Sequence, residues 1–232
     1  MYNNSIFSLL HARQADFLAS HVTPSFFGAG AVLRGPQAHQ SNVIFPETGL
    51  IAILAPLEDG RVIEVGLHGQ FGASVPNDLI GVADTEDAEI AVTDVTAWSM
   101  KPTDVATLIE QDSEIRSAFL KNGHFLMRQS RQLAACKAWH PLNQRLPSWL
   151  LRASELSQAN AFQITQEQIS LFLGVSRTSL SVAASKLLAE GIIDYMRGRL
   201  QILDTAGLAA RACECHQVLQ DNRRRIFEPR AS

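Results

Sequence analysis

Between residues 164 and 203 the chain carries side chains suited to reading a nucleic-acid duplex. Arg177, Thr178, Ser181 and Ser185 fall on one face of a short helix. There, small polar groups and a guanidinium could reach base edges in a DNA major groove. Arg177 is the candidate for a bidentate contact to guanine, and Val182 could touch only a thymine methyl. Ser176 sits at the start of that helix, with Thr165 and Gln166 at the start of the one before it. Their side chains and the helix N-terminal amides could donate to phosphate oxygens. Arg197 and Arg199 flank Gly198 in a following hairpin. Cations in that position displace counterions condensed on the phosphate backbone.

These residues need a rigid frame, and the surrounding sequence supplies one. Thr165 is a natural N-cap, and Gln168 three residues on completes a capping box. A helix over 166–173 then buries Ile169, Phe172 and Leu173. Gly174 takes the left-handed turn without steric cost. Ser176 caps a second helix whose Leu180, Ala184, Leu187 and Leu188 fall at i, i+4, i+7 and i+8. Gly191 ends that helix, and residues 192–196 and 200–203 read as two short strands. The order helix, tight turn, helix, hairpin is a winged helix-turn-helix.

The same residues resemble the DNA-binding half of Crp/Fnr-type transcription regulators. The resemblance rests on Asn143-Gln144-Arg145-Leu146, Trp149-Leu150-Leu151, Thr165-Gln166-Glu167, Leu173-Gly174-Val175, Arg197-Gly198 and an ACECY-like Ala212-Cys213-Glu214-Cys215. More weakly it extends upstream through Phe45-Pro46-Glu47, Leu57-Glu58-Asp59-Gly60, Glu64-Val65-Gly66 and Gly69-Gln70-Phe71-Gly72, which look like that family's jelly-roll sensor domain. It implies a homodimeric regulator of palindromic double-stranded DNA with RNA polymerase as a further partner. The family's best-known recognition helix reads bases with arginine, glutamate and arginine. Arg177 matches the first, whereas Thr178 and Val182 replace the other two, so the preferred half-site should differ.

Ahead of the reader, 232 residues with 46% hydrophobic and 19% charged content describe a folded chain long enough for two domains. The net charge of −3 is unevenly spread. Residues 1–141 hold 9 Lys and Arg against 15 Asp and Glu, and residues 142–232 hold 11 against 8. An acidic front joined to a basic back suits a sensor attached to a DNA reader. After an N-terminal helical piece to about residue 22, short β-type runs at 43–45, 50–54, 62–65 and 90–92 indicate a sandwich, with Glu58-Asp59-Gly60-Arg61 as a hairpin turn. From Thr103 to about Lys137 the period becomes that of one long helix. Ile115, Phe119, Asn122, Leu126, Gln129, Leu133 and Cys136 follow a 4-3 spacing, which predicts a parallel dimer seam with polar register-setting interruptions. His140-Pro141 marks the hinge. The expected division is a jelly roll over 1–102, a dimerisation helix over 103–140 and a winged helix over 141–232, an α+β chain.

The resemblance implies that an effector's phosphate would be held by an arginine and serine in the sensor. Here no arginine lies between Arg61 and Lys101, and Asp84, Glu86, Asp87 and Glu89 crowd the corresponding stretch. An anion facing carboxylates is disfavoured, so response to cyclic AMP is not expected and no cofactor is predicted. No cysteine precedes Cys136, which argues against an N-terminal iron–sulfur centre. Cys213-x-Cys215-His216 could ligate a metal or act as a thiol switch. With no fourth ligand evident and a helix expected from Asp204, the default is structural and no metal is predicted. Two alternatives stand beside the main reading: a thiol- or metal-responsive regulator acting through Cys213 and Cys215, and a ligand-independent DNA binder whose barrel is a scaffold. Phosphate-loop, nucleophile-elbow and dinucleotide signatures are absent, so no enzyme is expected. The first residues lack the features of a secretory signal, and no run nears the ~18–20 apolar residues of a membrane span. Three cysteines do not build a disulfide framework, so the expectation is a cytoplasmic protein without membrane partners.

Overall fold

A computed structural model of the chain describes residues 2–35, 42–76, 79 and 87–228. Two short helices, α1 (Ser5–Ser8) and α2 (Ala12–Ala19), lead into a β-sandwich. One sheet has the order β1 (Thr23–Phe27), β7 (Val95–Met100), β3 (Val43–Pro46). The other has the order β2 (Val32–Arg34), β6 (Ala88–Ala91), β4 (Ile51–Pro56), β5 (Val62–His68). Every pairing is antiparallel. Phe27, Leu33 and Ile44 meet Ile51, Ala91 and Val95 in one buried cluster between the sheets. The expected hairpin joins β4 to β5: Leu57 N–H donates to the Arg61 carbonyl at 2.7 Å, and Gly60 adopts φ +80°.

The expected single long helix is two. α3 (Pro102–Gln111) stops at Asp112, whose extended backbone (φ −127°) cannot continue a helix. The Asp112 carboxylate then caps α4 (Ser113–Trp139), accepting from Glu114 N–H at 2.8 Å and Ile115 N–H at 3.1 Å. The Ile115 amide, together with that of Glu114, holds the Asp112 carboxyl below its usual range. α4 ends at His140 as the Pro141 break predicts.

The C-terminal part begins with α5 (Leu142–Ser157). It continues through β8 (Ala161–Gln163), α6 (Gln166–Leu173), α7 (Arg177–Ala189), β9 (Ile193–Met196) and β10 (Arg199–Ile202), and closes with α8 (Thr205–Ala209) and α9 (Cys215–Phe227). β8, which the sequence reading omits, adds to the wing as β8-β10-β9. The helix expected from Asp204 breaks between α8 and α9, so Cys213 lies in the connection and Cys215 opens the second helix. Leu146, Trp149, Leu150, Phe172, Leu180 and Leu187 form the domain's core. That core is continuous with Leu50, Leu54 and Leu67 of the sandwich.

Candidate nucleic-acid interface and hinge cluster

The helix-turn-helix forms as its local chemistry dictates. Thr165 Oγ1 accepts from Gln168 N–H at 3.1 Å, and Gln168 Oε1 accepts from Thr165 N–H at 2.8 Å, completing the capping box. Gly174 ends α6 at φ +64°, and the Arg145 guanidinium donates to the Leu173 carbonyl at 3.1 Å, a cation at a helix C-terminus. Ser176 Oγ caps α7, accepting from Ser179 N–H at 3.1 Å. Leu180, Ala183, Ala184 and Leu187 are buried beneath α7. Arg177, Thr178, Val182 and Ser185 are exposed on its outer side, with Ser181 half-buried beside them.

Thr165 and Ser176 therefore already use their hydroxyls as caps, and what they offer a partner is chiefly the amide-rich helix starts. Gln166 is half-buried at the first turn of α6. Arg197 (φ +52°) and Gly198 (φ +78°) form the two-residue wing turn, a left-handed pair that matches the twist of its strands. Arg199 is the first residue of β10, paired with Met196, rather than part of the turn itself. Both arginines are exposed. The Tyr195 hydroxyl donates to the Ile164 carbonyl at 2.8 Å and pins the wing to the base of α6; burial pushes that phenol's pKa up. The sequence reading missed Lys186, which with Asn143, Thr178 and Val182 lines an open groove along α7. The signal was present, since Thr178, Val182 and Lys186 recur at i+4.

The residues expected to form a dimer seam pack against the chain's own core. Ile115, Asn122, Gln129 and Leu133 are buried within the chain itself. Asn122 Oδ1 accepts from Ala73 N–H and its Nδ2 donates to the Ala73 carbonyl, both at 3.0 Å. Gln129 makes the same paired contact with Leu67, at 3.1 and 2.8 Å. These seam polars clip α4 to strand and loop backbone of the sandwich. Phe119 and Leu126 are half-buried against the same core. The opposite face of α4 is open: Leu120 is 69% exposed, Met127 is 42% exposed, and Gly123, Ala134 and Ala138 lie between and beyond them.

Inside the sandwich a guanidinium is present after all, supplied by β2 rather than by the stretch between Arg61 and Lys101. Arg34 Nε donates to Ser74 Oγ at 2.7 Å and lies 3.5 Å from the buried Glu89 carboxylate. Burial opposes the charge on Glu89, but His68, Arg34 and Ser74 together outweigh it and hold the carboxyl below its usual range. Glu89 is therefore not a free repelling charge. The argument from Asp84 and Glu86 falls on positions outside the described residues.

Cys213 and Cys215 do not stand alone either. α4 brings Cys136 and His140 to them, and one donor atom of each of the four lies within 4.8 Å of every other. Cys136 Sγ lies 3.5 Å from Cys213 Sγ, and Cys215 Sγ lies 3.5 Å from His140 Nδ1. All three cysteines are free thiols and buried. The hydrogen bond from Cys136, with another from Ser148, pulls the Cys213 thiol down to about 5, while the same contact pushes Cys136 up. Spacing along the chain could not reveal this cluster, since Cys136 and Cys213 are far apart in sequence.

Comparison with known proteins agrees with this architecture. Residues 144–211 match the Crp-like helix-turn-helix domain. No curated protein matches the chain in sequence. Among solved structures, a Crp/Fnr-family regulator from Eubacterium rectale superposes with a TM-score of 0.69 at 16% identity, covering 88% of this chain and 96% of that one. FixK2 from Bradyrhizobium japonicum gives 0.66 at 16% identity over 83% and 98%. The c-di-GMP-responsive regulator CLP from Xanthomonas campestris gives 0.65 at 14% identity over 83% and 99%. A β-sandwich joined by a long helix to a winged helix-turn-helix is the architecture that these structures share with the chain. Residues 144–211 thus carry a Crp-like helix-turn-helix domain, and the chain as a whole shares the fold of the Crp/Fnr-family structures. Among the described residues no helix is long and apolar enough to cross a membrane.

Proposed function

We propose that the chain acts as a homodimer on a palindromic operator, reads it with α7, and does so without cyclic AMP. The observation that carries this is the outer face of α7: a capped helix start with exposed Arg177 and Thr178, Val182 one turn on, and the Arg197 and Arg199 wing beside it. Arg177 takes a guanine, Val182 excludes a second arginine–guanine contact, and Lys186 and the wing arginines meet phosphate. Dimerisation is reassigned to the outward stripe of α4, where Leu120 and Met127 are the exposed apolar anchors and Gly123, Ala134 and Ala138 permit close helix approach. Two readers so joined present their helices to half-sites about one helical turn apart. RNA polymerase is the proposed further partner.

The lack of response to cyclic AMP is supported by the committed state of Arg34, whose charge is balanced by buried Glu89 and whose donors go to Ser74 and the Asn42 carbonyl. A cyclic phosphate entering there would have to displace an internal ion pair. The c-di-GMP response named for CLP indicates that this fold serves other effectors. Selection of sites from a random DNA pool, with and without cyclic AMP, tests the reading. An enriched inverted repeat in both arms is expected. Enrichment only with nucleotide would overturn the effector argument, and a non-repeated motif would overturn the dimer.

A further inference from the structure

We infer that Cys136, His140, Cys213 and Cys215 form a four-coordinate site for a thiophilic divalent cation, zinc above others, which ties the end of α4 to the start of α9. The proposal goes beyond DNA binding and rests on geometry. A tetrahedral zinc ion with thiolate and imidazole ligands sets its donors roughly 3.5–3.8 Å apart. Two of the donor pairs stand at 3.5 Å, Cys136 with Cys213 and Cys215 with His140, and no pair among the four exceeds 4.8 Å. Small movements of side chains would close the shell. Three sulfurs and one imidazole nitrogen are the donor set of structural zinc sites, and thiolate-rich sets disfavour magnesium and calcium.

The surroundings fit the same purpose. His140 Nε2 lies 3.2 Å from the Glu214 carboxylate, which leaves Nδ1 directed at the sulfurs. A carboxylate on the far nitrogen fixes the tautomer and strengthens a metal-bound imidazole. Gln132 Nε2 donates to Cys215 Sγ at 3.1 Å, a contact that orients a thiolate. The backbone makes the cluster rigid on both sides. Cys136 and His140 are separated by one helical turn, with His140 N–H bonded to the Cys136 carbonyl at 3.0 Å, and Cys213 and Cys215 bracket the start of α9. Binding replaces the thiol protons, which pass to solvent, and involves no change of oxidation state. Four protein ligands leave no open position, so the ion is a clamp and not a catalyst. Its location is the hinge: two ligands come from the long helix and two from the segment that follows the reading domain's wing.

Metal content of the full-length protein, purified under reducing conditions with zinc present, is the first measurement. One zinc per chain is expected. Loading the apo-protein with cobalt(II) alone should give intense tetrahedral visible bands with thiolate charge transfer in the near ultraviolet, bleached by zinc. Cys213→Ser combined with Cys215→Ser should lose the metal and the spectrum. His140→Cys should keep both, with stronger charge transfer, which guards against serine variants that simply fail to fold. Chelation should lower the thermal midpoint of the wild type and leave the double serine variant unmoved. Three reactive thiols with no stoichiometric zinc or cobalt would overturn the site. So would a Cys136–Cys213 disulfide as the stable form under these reducing conditions. None of these readouts uses DNA, so they fail or succeed apart from the operator-binding reading.

Discussion

Arg177 carries the sharpest residue-scale consequence. It stands at the first turn of α7 with its side chain exposed, so Arg177→Ala removes the proposed base contact without opening the core. Specific binding should weaken by about 1–3 kcal/mol and preference should relax at one base pair. Site selection with the variant, beside an unchanged circular dichroism spectrum, measures both; an unaltered motif would remove Arg177 from the reading set. Glu89 has a consequence of a different kind. Its carboxyl is held below the usual range, so the folded state favours the ionised form. The stabilisation is present above the unfolded value of about 4.3 and is lost as pH falls through the lower folded value. Glu89→Gln should lower stability at neutral pH and flatten the acid limb of a stability-against-pH profile. Residues with local roles were legible in sequence: the Thr165–Gln168 box, Gly174 and Ser176 act within four positions of themselves. Arg34 with Glu89, and Cys136 with Cys213, meet only because distant strands or helices fold together, and no spacing rule reports that.

At the scale of elements, α4 shows where periodicity misleads. A 4-3 repeat states that one face of a helix is buried, but not against what. Asn122 and Gln129 look like register-setting polars of a coiled coil, yet each satisfies both polar groups of a strand or loop residue in the same chain. The face that remains open gives a weaker apolar pattern in the sequence, because Leu120 and Met127 are interspersed with glycine, serine and alanine. The two faces make opposite predictions. Leu120→Glu with Met127→Glu should convert dimer to monomer in sedimentation or light scattering while the thermal midpoint of the folded chain moves little. Asn122→Ala should leave the oligomeric state alone and cost about 1–3 kcal/mol, because the buried Ala73 amide and carbonyl lose their partners. A monomeric Asn122→Ala protein, or a dimeric Leu120→Glu/Met127→Glu protein, would return the seam to the inner face. The break at Asp112 was also readable in principle, since Asp before Ser-Glu is a cap sequence, but continuous apolar spacing across it concealed the change.

Over the whole molecule the question is how a sandwich governs a reader. The two parts share a core, and a buried polar joint is set within it. Glu64 on β5 is 1% exposed; Arg152 Nη2 lies 3.2 Å from both of its carboxylate oxygens, and Trp149 Nε1 donates to Oε2 at 2.7 Å. Lys137 of α4 donates to the Glu64 backbone carbonyl, so two helices, α4 and α5, converge on one strand residue. The turn of the reader touches the same sheet: a Cβ at Gly174 would stand 2.8 Å from Ile63 Cδ1. A signal that moves β5 would have a direct mechanical route to α5 and α6, and an effector need only prefer one arrangement of this joint to shift the population of binding-competent molecules. Arg152→Ala strands a buried carboxylate and should cost about 3–5 kcal/mol. Glu64→Gln with Arg152→Met removes both charges together and should recover much of that loss, because an apolar replacement of a buried pair is often nearly neutral. Chemical denaturation of the two variants measures the difference. If Arg152→Ala loses less than about 1 kcal/mol, the pair behaves as a solvated surface contact and the joint is not closed in solution. If it loses the larger amount while operator affinity changes in the double variant, the buried ion pair is the element through which the sandwich sets the geometry of the reader.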